Sequence, residues 1–552
     1  MILPARLLPP RLLLPSLRRR ARRLGPTLAL AAASLALAAP SLPPQPAHAA
    51  PQERPTLVRT ADGWVRGERT DEGRQFLGIP YAQPPTGQLR WRPPRPAAAW
   101  DGVREATAYG NDCAQNTYWA PGHEKQRTTE GCLDVNVFTP AAAHRTSRLP
   151  VMVWIHGGAN IGGAARDILP DTFARRTGTV VVTLNYRLGA SGFLTLPGTT
   201  GNFALLDQQQ ALRWVQNNIG RFGGDRHRVT LAGESAGGGA VCSQLAAPGS
   251  HGLYRAAIIQ SGAFGDCAGR PRDRAEAAGL AFAKKLGCTQ PSTAAACLRS
   301  RPIKEVLDAQ EGTGASDWTY TTGTQALPEP PADAFAAGRA ARVPVMNGAN
   351  SHEGLVFAYD SFDRWGRPLT KDAYPGALTS AFGEHTGAKA LKRYPSGTYE
   401  RPGYAYAAAF GDQLFACPAL RVDAALARRG QVYAYEFADR SSPLFASLPQ
   451  NADFDFGATH AAELNYLFKP YGRAAAFDAG QKALSAQMTA YWGSFLHGSP
   501  PGAPGQRDMP EQSREPGHVL QLRTTSAGGT TTTPHLAQAH HCDLWDDASA
   551  TP

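Results

Sequence analysis

The sequence predicts an α/β fold with a large, mostly parallel central sheet. Three observations carry that expectation. Apolar runs of strand length recur along the chain. Amphipathic segments stand between them, the alternation expected when helices flank a parallel sheet. One run ends in Gly233-Glu234-Ser235-Ala236-Gly237, a sharp turn of the kind that joins a strand directly to a helix.

Residues 151–155 (Val-Met-Val-Trp-Ile) and 179–184 (Thr-Val-Val-Val-Thr-Leu) read as buried strands, because they are short, apolar and mostly β-branched. Residues 202–219 have helical periodicity, with Ala211, Leu212, Trp214 and Val215 on the apolar side. Residues 229–232 form the strand that leads into the turn at Ser235. Residues 256–260, 343–348 and 432–437 are three further strands, and 483–496 a long C-terminal helix. The Pro- and Gly-rich stretch 499–517 and the low-complexity stretch 528–533 read as surface loops. Residues 51–55 are a short tether. No linker follows before 499, so residues 50–552 are expected to form a single domain.

The chain has 552 residues, 42% hydrophobic and 18% charged, as expected of a globular protein with a sizeable core. Its formal charge is +11, but residues 1–49 hold seven arginines and no acid. The remainder carries only +4, which argues against a nucleic-acid partner. The first 49 residues read as a secretory signal peptide. Arginines cluster at 18–23, an apolar stretch spans 24–39, and Ala47-His48-Ala49 is a small-x-small cleavage site. A membrane anchor is the alternative. Against it, the apolar stretch contains Pro26 and is shorter than the roughly 20 residues a spanning helix needs. The general and twin-arginine export routes both stay open.

Export permits disulfides. Eight cysteines allow 105 pairings, and spacing alone does not choose among them. The His540-His541-Cys542 cluster is a weak zinc motif; a loop closed by a disulfide is the simpler reading.

The glycines of the turn at Ser235 are physical requirements, since side chains there would strike the adjoining strand or helix. The turn exposes the Ser235 hydroxyl at a helix N-terminus, where backbone N–H groups favour negative charge. That suits acyl transfer if other groups join it. His156-Gly157-Gly158-Ala159 follows the strand 151–155 and resembles an oxyanion loop. Its donors are expected to be the N–H groups of Gly158, Ala159 and Ala236, each worth roughly 3–4 kcal/mol in the transition state. A plain strand-to-loop turn is the alternative. His460, on a loop of small residues with Glu463 three positions on, is the candidate base. Glu353 follows the strand 343–348, so it is expected at the carboxyl edge of the sheet, where functional residues converge. The order Ser235, Glu353, His460 matches the Ser…acid…His order of α/β hydrolases.

With these residues in hand, the chain resembles the type-B carboxylesterases, a group that includes cholinesterases and some fungal lipases. The likeness runs from about Val58 to Trp545. It rests on Phe76 to Pro85, Leu89-Arg90-Trp91, Glu130 to Val137, Asn185-Tyr186-Arg187, Leu206 to Gln209 and Phe222 to Asp225. The resemblance implies the α/β-hydrolase fold. It implies Ser235 as nucleophile, Glu353 as acid, His460 as base, and the three oxyanion donors named above. It places Ser261 and Glu234 behind the triad; for Ser261 a helix N-cap is the alternative. It pairs Arg90 with Glu130, and Cys113 with Cys132. It makes Cys288–Cys297 and Cys417–Cys542 plausible bridges, and leaves Cys242 and Cys267 open. Departures stand at His352, where many relatives carry Asp, and at Asn160, where an aromatic residue is common. Gly122 occupies the place of the choline-binding Trp, which argues against choline esters.

The expected activity is hydrolysis of small-molecule carboxylic esters through an acyl-enzyme, by a secreted enzyme without metal or organic cofactor and without stable membrane insertion. A lipase acting on longer acylglycerols and a non-catalytic binding protein on the same fold are the alternatives. The sequence leaves the oligomeric state open.

Overall fold

The computed structural model describes residues 56–116, 128–313, 317–445, 448–449 and 453–549. The leader, the tether and Gly122 lie outside them. Eleven strands make one sheet. They are β1 (Glu68–Arg69), β2 (Gly73–Pro80), β3 (Asp134–Pro140), β4 (Leu149–Ile155), β5 (Val180–Leu184), β6 (Gly224–Glu234), β7 (Ala256–Gln260), β8 (Val345–Asn350), β9 (Val432–Phe437), β10 (Val519–Leu522) and β11 (Thr531–Thr533). Their spatial order is β11-β10-β9-β8-β7-β6-β4-β5-β3-β2-β1. From β10 to β5 all neighbours are parallel, and antiparallel pairs finish both ends.

The apolar runs of the sequence are the parallel strands. The antiparallel β2 and β3 escaped notice because Gly, Pro and Asn interrupt their apolar pattern. Residues 528–533 are not all loop. Thr531–Thr533 pairs antiparallel with β10 as the edge strand. Three β-branched threonines suit a half-exposed edge, a preference that the repetitive composition masked.

Eight helices matter below: α1 (Asp171–Thr177), α2 (Phe203–Asn218), α3 (Ala236–Ala246), α4 (Gly354–Ser361), α5 (Pro402–Gly411), α6 (Cys417–Ala427), α7 (Ala479–His497) and α8 (Cys542–Ser549). The two-residue period of the strands divides the core between the faces of the sheet. In β4, Val151, Val153 and Ile155 join one cluster, while Met152 and Trp154 join the other. In β7, Ala257 and Ile259 oppose Ala256 and Ile258 in the same way. The first face packs against α2 and α3 through Leu212, Trp214, Val241 and Leu245. The second packs against α1 and α7 through Phe173, Met488, Trp492 and Phe495. Each such buried side chain contributes about 1.5–3 kcal/mol, so strand register is tightly specified. A capping box starts α7, with the Asp478 carboxylate accepting from Gln481 N–H at 2.7 Å.

The cysteines form four disulfides: Cys113–Cys132, Cys242–Cys267, Cys288–Cys297 and Cys417–Cys542. The zinc reading at residues 540–542 fails, because the ligands are spent elsewhere. Cys542 is bonded to Cys417, and His540 sits between Asp412 (Nδ1 to Oδ1, 2.5 Å) and Glu436 (Nε2 to Oε1, 2.7 Å). Burial opposes its charge, but the two carboxylates hold its pKa well above the ordinary value.

The bridges differ greatly in reach. Cys417–Cys542 spans 125 residues and Cys288–Cys297 spans 9. Loop-closure entropy gives about 5 and about 3 kcal/mol respectively. Scanning calorimetry should find the larger drop in apparent Tm for Cys417→Ser/Cys542→Ser, and the smaller for Cys288→Ser/Cys297→Ser.

Candidate functional site

Ser235 alone makes the turn between β6 and α3. Its φ of 55° lies in the left-handed region, which is strained for a residue with a side chain. Two backbone bonds hold it there. Ser235 N–H donates to Gln260 O, and Gly239 N–H donates to Ser235 O, both at 2.9 Å. The following helix starts very close to β4. A Cβ on Gly237 would lie 2.1 Å from the Ile155 carbonyl oxygen, so only glycine fits.

The half-buried serine hydroxyl meets an imidazole. His460 Nε2 is 2.8 Å from Ser235 Oγ, and His460 Nδ1 is 2.6 Å from Glu353 Oε2. The other carboxylate oxygen, Glu353 Oε1, accepts from Ser261 Oγ at 2.5 Å and from Asn350 N–H at 2.7 Å. Ser261 is therefore no helix cap; its hydroxyl is committed to Glu353. The four side chains come from the carboxyl ends of β6, β7 and β8 and from the loop beyond β9, where a parallel sheet gathers its functional groups.

The segment His156-Gly157-Gly158-Ala159 leaves β4 beside this relay. A Cβ on Gly157 would stand 3.0 Å from Ser235 Cβ. Gly158, Ala159 and Asn160 all have positive φ (102°, 56° and 62°). Among the described residues the N–H groups of Gly158 and Ala159 have no hydrogen-bond partner, and Ala236 opens α3, where first-turn donors lack an intrahelical acceptor. Behind the loop, the His156 ring stacks on Tyr186 at 4.4 Å, and the Tyr186 hydroxyl donates to His156 O at 2.9 Å. Burial lowers the His156 pKa to about 4, so that ring stays neutral. Asn160 is buried and donates its amide to Trp318 O at 2.9 Å.

Two more carboxylates surround the imidazole. Glu234 Oε1 lies 3.3 Å from His460 Nε2. Glu463 accepts from Asn350 Nδ2 at 2.7 Å and from Gln260 Nε2 at 3.0 Å, and Gln260 Oε1 accepts from Trp492 Nε1 at 3.0 Å. Burial raises the Glu463 pKa and carries Glu234 up to about 8. For His460, burial pulls downward, but Glu234 and Glu353 outweigh it and hold the pKa up at about 9. Phe415 and Phe357 wall the imidazole, with ring centroids 4.9 and 5.2 Å away. His352 takes no part in the relay. Its Nδ1 lies 2.7 Å from Ser351 Oγ, and burial lowers its pKa to about 4. Away from the relay, Arg90 pairs with Glu130 and donates to the Arg301 carbonyl.

Sequence reasoning singled out Ser235, Glu353, His460, Ser261, Glu234, Gly158, Ala159 and Ala236, and the fold brings them to one place. It did not foresee Glu463, Asn350 or the two phenylalanines as parts of the site. Glu463 had a positional signal, three residues after His460. Phe415 had none, because it sits on a π-helical segment, Asp412–Ala416, that no periodicity announces.

Known proteins resemble the whole arrangement. The model of the Carboxylesterase family matches residues 54–545. A cocaine esterase of Homo sapiens is 32% identical over 501 residues, which cover 86% of this chain and 87% of that protein. A fumonisin B1 esterase of Sphingopyxis macrogoltabida is 34% identical over 492 residues, covering 82% and 84%. A para-nitrobenzyl esterase of Bacillus subtilis (strain 168) is 34% identical over 428 residues, covering 75% and 82%. Among solved structures, a thermophilic PNB esterase superposes with a TM-score of 0.75 at 29% identity, covering 88% of this chain and 99% of that one. The chain therefore belongs to the carboxylesterase family, has the α/β-hydrolase fold, and is a carboxylic ester hydrolase.

Proposed function

We propose that the protein hydrolyses small-molecule carboxylic esters through an acyl-enzyme on Ser235, and that it works outside the cell. One observation carries the chemistry: His460 bridges the Ser235 hydroxyl and the Glu353 carboxylate at 2.8 and 2.6 Å. In this reading Ser235 Oγ attacks the ester carbonyl while His460 Nε2 takes its proton. Glu353 keeps Nδ1 protonated and stabilises the imidazolium. The N–H groups of Gly158, Ala159 and Ala236 receive the oxyanion. The departing alcohol takes the proton from Nε2, and water then releases the acid by the same route. Ser261 and Asn350 fix the acid, and Glu234 adds charge beside Nε2.

Ser235→Ala should lower kcat on a short p-nitrophenyl ester by 10⁴-fold or more and abolish labelling by an organophosphonate. Undiminished turnover would remove Ser235 from the mechanism.

The pH dependence follows from the carboxylates. Attack needs a neutral imidazole, so activity rises as pH climbs through the His460 pKa. Glu234 and Glu353 raise that pKa above its ordinary 6.5, which places the acid limb of kcat/KM above pH 6.5. Glu234→Gln removes one nearby negative charge and should move that limb down by about one unit. A limb that stays in place would show that Glu234 carries no charge at the working pH.

Export is supported by the leader composition and by the four disulfides. Among the described residues no helix is long and apolar enough to cross a membrane. Mass spectrometry of protein recovered from the culture medium should find an N-terminus at Ala50.

A further inference from the structure

A second buried imidazole stands between two carboxylates, and the proposed hydrolysis gives it no task. His540 Nδ1 lies 2.5 Å from Asp412 Oδ1, and His540 Nε2 lies 2.7 Å from Glu436 Oε1. Bonding both carboxylates at once takes two N–H donors. A neutral imidazole has one, and the imidazolium has two. The remaining carboxylate oxygens are committed already. Asp412 Oδ2 accepts from the Tyr394 hydroxyl at 2.8 Å, and Glu436 Oε2 accepts from Gln521 Nε2 at 2.7 Å.

The bridge joins two elements that both reach the relay around His460. Glu436 lies on β9 and pairs with Ala349 on β8. The next residue of β8, Asn350, donates its N–H to Glu353 Oε1. Asp412 begins the π-helical segment Asp412–Ala416, which stands between α5 and α6. Gly411, just before that segment, packs on the acid. A Cβ there would lie 3.5 Å from Glu353 Cβ and 3.0 Å from Gly354 N. Phe415, within the segment, stands beside the base, with its ring centroid 4.9 Å from that of His460. The same ring meets Phe357 at 5.6 Å and Phe264 at 6.2 Å. Phe264 in turn reaches the first turn of α3, where a Cβ on Gly239 would lie 2.8 Å from its Cζ. An aromatic row therefore runs from the helix after Ser235 to the imidazole.

A π-helical turn is a local departure from α-helical winding that its surroundings have to hold. On one side packing does not supply that hold. A cavity of about 360 Å³ lies against Gly411, Asp412 and Ala416. The polar anchor at Asp412 stands where the packing is open. Released, the segment can return to α-helical winding. A one-residue change of register turns a side chain by about 100° around the helix axis, which would carry Phe415 away from His460.

We infer that His540 is a positioning residue: by bridging Asp412 to Glu436 it holds the π-helical turn and keeps Phe415 against His460, and so sets the turnover rate and the acyl size that the site accepts. Burial opposes a charge on His540, but the two carboxylates hold its pKa well above the ordinary value, so the bridge is ionic. The inference rests on the reading of His460 as the base.

The test uses the full chain with p-nitrophenyl acetate and p-nitrophenyl octanoate. Titration with an organophosphonate counts the competent Ser235 sites, so loss of folded protein drops out of every rate. His540→Gln is similar in size but cannot bond both carboxylates. It should lower kcat per titrated site by about tenfold or more, and raise the octanoate-to-acetate ratio of kcat/KM by about threefold or more. Asp412→Asn keeps an acceptor for His540 and loses the charge. It should move both quantities in the same direction by less, and it carries the test if His540→Gln does not fold. Phe415→Ala should raise the ratio as well. His540→Gln/Phe415→Ala should raise it no further than Phe415→Ala alone, since both act through one ring. Titrated sites that keep the wild-type rate and ratio in His540→Gln, or in Asp412→Asn, would reduce the bridge to a stabilising contact and overturn the proposal. So would shifts that add in the double variant. The acyl-enzyme reading fails separately, by organophosphonate labelling of Ser235→Ala.

Discussion

The buried hydrogen bond between His460 Nδ1 and Glu353 Oε2 is the interaction on which the site depends. It fixes the plane of the imidazole and so decides that Nε2 faces the Ser235 hydroxyl. A carboxylate this deeply buried would be costly if left half satisfied. Here the second oxygen is held by a hydroxyl from the end of β7 and a backbone N–H from the end of β8. The acid therefore has one orientation, and the imidazole inherits it. Strain at Ser235 is held in place by the same framework, since the carbonyl that receives its N–H belongs to Gln260.

Around that bond the protein buries several polar groups and satisfies most of them mutually. Gln260 links Glu463 to Trp492, which joins the site to the core face packed by α7. Asn350 touches Glu353 through its backbone and Glu463 through its side chain. Asn350 Oδ1 and Glu234 Oε1 are exceptions, and the latter is buried without a hydrogen-bond partner beside His460 Nε2. A desolvated carboxylate in that place favours a positive imidazole, at the cost of holding its own proton more tightly. The same balance of burial against neighbouring charge recurs at His540, where Asp412 and Glu436 win outright.

The two ends of the π-helical segment face different neighbours. Asp412 holds His540 and, through Tyr394, reaches Trp545 on α8, while Phe415 lies against His460. The Cys417–Cys542 bond joins α6 to α8 just beyond it. The wall of the site is thereby tied to the C-terminal segment of the chain, more than eighty residues after His460.

Much was legible in the sequence because the signals were local. Apolar runs of β-branched residues mark parallel strands wherever both faces of a sheet are covered. The glycines about Ser235 mark the turn, because close approach excludes side chains. Chain order and motif resemblance singled out Glu353 and His460. What the sequence left open was non-local. It did not show the antiparallel strands β2 and β3 or the edge strand β11, whose partners supply the stability their composition lacks. Nor did it show the bond between Cys242 and Cys267, the burial of Glu463, or the place of Phe415. Depth of burial and the distance between groups far apart in the chain are properties of packing, and pKa, orientation and hydrogen-bond satisfaction follow from them. The residue types were written in the chain; their charges and contacts were decided only when the sheet brought its carboxyl ends together.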